Sequence, residues 1–145
     1  ALEGKWIEQT VTGPLLDTQV KAGFAWFEQT RTALVEMASA SGLERLTPEQ
    51  RNPLHTTTYG TGQLIQAALE YQPEEILLAV GGSATVDGGL GAAAALGWEF
   101  LDANGNPITP TGGGLSELVE IRRPEDLTLP PVRVLCDVNN PLCGS

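Results

Sequence analysis

The sequence predicts a mixed α/β fold of α+β character, in which a mixed sheet begins as an antiparallel meander and carries packed helices. Three observations lead to it. The opening third holds successive strand-like segments with turns between them and no helical period. The middle holds an amphipathic helical stretch followed by a short apolar run. After that run come glycine, then alanine, and finally a β-branched segment. At 145 residues and 41% hydrophobic content the chain suits a single domain, 1–145, with a real core.

The elements follow in order. Lys5–Val11 alternates and stops at Gly13-Pro14, Val20–Phe27 alternates around Gly23, and Thr32–Met37 is a third strand after a polar turn near Thr30. Met37–Leu46 reads as a short helix interrupted at Gly42, and Asn52-Pro53 breaks the chain. Thr56-Thr57-Thr58 offers N-cap hydroxyls for a helix over Gln63–Tyr71, whose Leu64, Ile65, Ala68 and Leu69 share one face. Glu75–Val80 is a buried strand and Leu90–Leu96 a helix. Trp98–Leu101 is a short strand before the Asn104-Gly105 turn. Ser116 caps a short helical segment before Arg122, and Val132–Asp137 is the last strand. Trp6, Trp26 and Trp98 are most simply core residues.

The net charge of −10 and a pI near 4.4 disfavour nucleic acid and anionic membrane as partners, since both are polyanionic. No apolar run is long enough to span a bilayer, and no signal peptide is visible, so the expected location is the cytoplasm. Cys136, Cys143 and His55 do not make a recognisable zinc site, and free thiols are expected.

The stretch Gly81–Gly97, GGSATVDGGLGAAAALG, carries the chemistry. A strand feeding a glycine-rich loop that opens a helix is a common anion site, because backbone N–H groups face a ligand that glycine lets come close. Gly81, Gly82, Gly88 and Gly89 supply that backbone, Ser83 and Thr85 add hydroxyls, and Asp87 could hold Mg²⁺ or take a proton. The plainer alternative is a tight turn followed by a closely packed helix. GxxxxGK(S/T) is absent. Gly89–Ala94 matches G-x-G-x-x-A but lies well past the strand end. Gly60-Thr61-Gly62 looks like a second glycine start, with Ile65 in place of its third glycine, so a dinucleotide site is not expected. Asp137, at the end of the last strand, is a metal or base position or else caps the turn that follows, which contains Asn139. Glu36 is either a solvent-facing edge residue or functional. Arg122 and Arg123 either grip phosphate or are solvated.

Gly81–Gly91 (GGSATVDGGLG), Thr58–Gly62 (TYGTG) and Cys136–Leu142 (CDVNNPL), in this order and spacing, closely resemble the bacterial glycerate kinase family. Thr12–Leu15, Val35–Ala38 and Asp102–Gly105 look familial too, so the resemblance runs over essentially the whole chain. Where the family usually has asparagine this chain has Val86. Family members are more than twice as long, and their DSxK-like, DGGEGT-like and FGPQKGA-like segments are not in this sequence. The resemblance therefore implies the second, inserted domain of a two-domain kinase, with the first domain of the same chain as partner.

What the resemblance implies chemically is transfer of the ATP γ-phosphoryl group to D-glycerate, with ATP and Mg²⁺ as cofactors and phosphoglycerate as product. Asp87 and Asp137 are then the candidate catalytic carboxylates, either of them a candidate Mg²⁺ ligand. Gly81, Gly82, Ser83, Thr85, Gly88, Gly89, Gly60, Thr61, Gly62 and Asn139 are the candidate phosphate- or substrate-binding residues. Cationic groups are expected from the other domain, and this chain alone is expected to be inactive. The rival readings are a non-catalytic module that binds a small anion and a purely structural or dimerisation domain.

Overall fold

The computed structural model describes residues 3–136 and 138. Strands β1 (Lys5–Thr12), β2 (Gln19–Phe27) and β3 (Thr32–Glu36) form the antiparallel meander that alternation predicts. A four-residue helix α1 (Ala38–Ser41) and a 3₁₀ turn at Leu43–Arg45 follow, interrupted at Gly42. Helix α2 (Tyr59–Leu69) leads to β4 (Glu75–Ala79), which pairs parallel to β3. The glycine loop then opens α3 (Leu90–Ala95). Strands β5 (Glu99–Leu101) and β6 (Glu120–Arg122) make a separate two-stranded sheet, and β7 (Val132–Leu135) returns to pair parallel with β4. The large sheet has the order β1-β2-β3-β4-β7, antiparallel at its N-terminal edge and parallel beyond it.

Register explains which face is buried. Ile7, Phe24 and Val35 stand opposite one another across β1, β2 and β3, and Ile76 stands opposite Ala33 on the same side. These side chains meet Leu64, Ile65 and Ala68 of α2 in one core. Tyr71, just beyond α2, packs against Phe24 in a T-shaped pair with ring centroids 5.6 Å apart. The opposite face presents the row Trp6, Ala25, Leu34 and Leu77, one residue from each of four neighbouring strands. No described helix packs on that face. This accounts for Leu77 in β4, an apolar run that reads as fully buried but has only Ile76 sealed; Leu78, opposite Val35 on the core face, is half-buried as well. It also corrects the expectation for the tryptophans. Trp26 is core, whereas Trp6 lies 55% exposed over Gly23, where a Cβ would collide with its indole.

Other differences are local. Helix α2 starts at Tyr59, four residues before the expected Gln63, so it takes in Gly60-Thr61-Gly62. Ser116 caps no helix. It lies inside a 3₁₀ turn at Gly113–Glu117, its hydroxyl donating to the Gly113 carbonyl, and the segment before Arg122 is a strand. Among the described residues no helix is long and apolar enough to cross a membrane.

Candidate functional site

The loop between β4 and α3 leaves the C-terminal edge of the parallel strands, the edge where open α/β sheets bind ligands. Clefts flank it on two sides. One, of about 840 Å³, is lined by Glu36, Glu44, Gly81, Gly82 and Cys136 among others. The other, of about 510 Å³, is lined by Thr58, Ser83, Thr85, Val86, Gly88 and Gly89, with Met37, Val80 and Asp87 completing its wall.

Asp87 is the centre of the loop and is 1% exposed. Its Oδ2 accepts from the Thr58 N–H and the Thr58 hydroxyl, each at 2.8 Å, and from the Gly91 N–H at 3.1 Å. Its Oδ1 accepts from the Gly89 N–H at 3.1 Å. Thr58 Oγ1 in turn accepts from the Ala92 N–H at 2.8 Å. The starts of α2 and α3 are thus tied through one carboxylate and one hydroxyl. A carboxylate holding these donors is desolvated but compensated, which makes it a positioning group. The sequence suggests Asp87 as base or magnesium anchor; in this structure the carboxylate is buried, with Oδ2 taken by three donors and Oδ1 by one, an arrangement that ties down the loop.

Thr58 also departs from a simple capping role. Its hydroxyl serves Asp87, while Thr57 Oγ1 accepts from the Tyr59 N–H at 3.1 Å. Nothing in the sequence marks Thr58 as Asp87's partner, because the two lie 29 positions apart.

The loop hydroxyls turn inward. Thr85 Oγ1 donates to the Thr56 carbonyl at 3.0 Å and accepts from the Asp87 N–H, and Ser83 Oγ bonds within the loop to Thr85. Backbone amides remain. The N–H groups of Gly81, Gly82, Ser83, Val86 and Gly88 have no acceptor among the described residues. Gly88 and Gly89 hold φ of +61° and +85°, which a side chain would strain. The space above Gly89 is open, and above Gly88 only the tip of Leu115 comes near.

Gly60, Thr61 and Gly62, candidates for a second glycine start, are buried in α2. A Cβ on Gly60 would run into the Thr12 carbonyl and one on Gly62 into the Ala92 carbonyl. Thr61 Oγ1 bonds Ser41 Oγ at 3.0 Å. These residues bring elements close together and offer a ligand no surface. Asp137 and Asn139 lie outside the described residues. Among the described residues no group of three His, Cys, Asp or Glu side chains could hold a metal ion.

The cations stand elsewhere. Lys21 pairs with Glu8, Arg133 with Glu75, and Arg122 with Glu120 at 2.7 Å, which holds the Glu120 carboxyl below and the Arg122 guanidinium above their ordinary values. Among the described residues neither cleft has a lysine or arginine on its lining. Glu36 and Glu44 make the larger cleft repellent to an anion, so the Ser83–Gly89 side is the better place for negative oxygen.

The likeness to known proteins spans the whole chain. A profile of the glycerate kinase family matches residues 1–145. A glycerate kinase of Haemophilus influenzae is 49% identical over 150 aligned positions, covering 99% of this chain and 39% of that protein. The glycerate 2-kinase of Escherichia coli is 45% identical, with 99% and 38% covered. A Salmonella typhimurium LT2 structure named as glycerate kinase 2 superposes with a TM-score of 0.88 at 45% identity, over 96% of this chain and 38% of that one. The chain spans about two fifths of the length of the curated relatives it matches.

Proposed function

The chain belongs to the glycerate kinase family, and from that premise we propose that it forms one wall of the phosphoryl-transfer site of an ATP-dependent D-glycerate kinase. In this reading it is the second, inserted domain, and the remainder of the enzyme supplies the cationic clamps. A glycerate hydroxyl oxygen forms a bond to the γ-phosphorus as the bond from that phosphorus to the bridging oxygen breaks. ADP leaves with the electron pair, and the hydroxyl proton passes to a base or to water. The observation that carries the reading is that the N–H groups of Ser83, Val86 and Gly88, which have no acceptor among the described residues, belong to residues lining one cleft.

Each residue then has a distinct task. The Ser83, Val86 and Gly88 amides receive phosphate oxygens. Asp87 and Thr58 hold the loop, and the bonds that Thr85 makes keep it folded back on Thr56. Magnesium usually keeps phosphate oxygens and water as most of its ligands, so it needs few carboxylates from the protein. Asp137 follows Cys136, which lines the larger cleft, and in this reading takes the proton or binds that ion.

The test is steady-state turnover by the complete kinase chain with ATP, Mg²⁺ and D-glycerate, the product read by ³¹P resonance. Turnover that falls at least a hundredfold in Asp137→Asn, with melting unchanged, supports the assignment. Full activity in that variant removes Asp137, and no phosphorylation of glycerate by the parent enzyme removes the reading altogether. The 145-residue chain alone is expected to give no turnover.

A further inference from the structure

The glycine loop has a second neighbour. Beyond Gly88 and Gly89 lies an apolar groove of about 300 Å³, walled by Ala93, Trp98, Phe100, Leu115, Leu118 and Ile121. Gly88 and Gly89 line both this groove and the cleft of the unpaired amides. The open space above them makes a saddle joining the two. Ile121 stands opposite Phe100 in the β5–β6 pair and is 54% exposed. Its volume is near the lower end of ligand clefts, which run roughly 300–1,000 Å³.

Of the substrates in the proposed reaction only one has both a polyanionic end and a flat apolar end. Glycerate carries a carboxylate and hydroxyls on three carbons and has nothing to place among Trp98, Phe100 and Leu118. We infer that the groove takes the base of the nucleoside triphosphate, with its phosphates passing over Gly88-Gly89 to the Ser83–Gly88 amides. The inference rests on the phosphate reading of the loop, and it decides which substrate this chain holds. Aromatic and aliphatic walls suit a purine, which gains from stacking and from leaving water. The Gly88-Gly89 saddle lets the chain of phosphates lie close to the backbone, as any Cβ there would not.

The experiment uses the complete kinase and places a charge at the exposed rim, where folding is least disturbed. Ile121→Glu is expected to raise KM for ATP about tenfold, to leave KM for glycerate unchanged, and to leave inhibition by tripolyphosphate, which has no base, unchanged. Because Ile121 belongs to a short sheet, a second measurement is fluorescence: ADP should quench emission in the wild type, and Trp98→Phe should remove most of that quench. An unchanged KM for ATP in a folded Ile121→Glu, together with a quench that survives Trp98→Phe, overturns the groove. A rise in KM for glycerate alone also overturns it, since the groove would then serve the acceptor. The loop is tested apart by Gly88→Val. If that variant weakens tripolyphosphate while the groove variants change nothing, the phosphate reading stands and only the base subsite fails.

Discussion

Asp87 Oδ2 accepts the Thr58 hydroxyl at 2.8 Å in a junction where Asp87 is 1% and Thr58 2% exposed. The same hydroxyl accepts from Ala92, so this one pair links the entry of α2 to that of α3 and sets the path of the glycine loop between them. Asp87→Asn puts an NH₂ among groups that all donate, and removes the charge that strengthens their bonds. A loss of roughly 2–4 kcal/mol in denaturant unfolding is expected, with turnover of the complete enzyme falling alongside it. Normal stability with turnover abolished would instead give Asp87 a chemical task.

Thr58→Val keeps the shape and removes the hydroxyl, leaving the Ala92 N–H unpaired. A cost of about 1–3 kcal/mol is expected, with Thr58→Ser restoring most of it. Equal stability of the valine and serine variants in thermal melts would show that the hydroxyl does not hold the junction.

The glycines divide by task. Gly62→Ala forces a methyl into the Ala92 carbonyl between α2 and α3, with an expected cost of about 1–3 kcal/mol and normal kinetics per folded molecule. Gly88→Ala meets open space and pays only for its positive φ, about 1 kcal/mol, but is expected to raise KM for ATP. Paired melting and kinetic measurements on the two variants separate packing from binding, and the reverse pattern would contradict both assignments.

The tryptophans test the uncovered sheet face. Trp26→Ala opens the core and is expected to cost about 3–5 kcal/mol. Trp6→Thr, at a 55% exposed position, is expected to cost less than about 1 kcal/mol in urea unfolding of this chain. Equal losses would mean that the Trp6 face is covered in solution.

The sequence made the meander legible because alternation in β1 and β2 reports directly which side meets the core. It made the break between β4 and α3 legible because glycine after a short apolar run ends a strand. Trp6 was beyond reach, since an alternating strand does not say whether its second face is covered. So was the packing task of Gly60 and Gly62. A glycine that lets a neighbouring carbonyl approach and one that lets a phosphate approach look alike until the neighbour is seen. Asp87 shows the same limit for acids, because the donors that hold it come from Thr58, 29 positions away, as well as from Gly89 and Gly91. The groove of Leu115, Leu118 and Ile121 gave no sign, as its residues come from a 3₁₀ turn, a connecting segment and an edge strand.

The most direct measurement is the set of backbone amide resonances of the complete, deuterated enzyme as ATP–Mg²⁺ is added. Saturable shifts at Ser83, Val86 and Gly88, reproduced by tripolyphosphate, are the expected result. Amides of this loop that stay unmoved while nucleotide saturates the enzyme would contradict it.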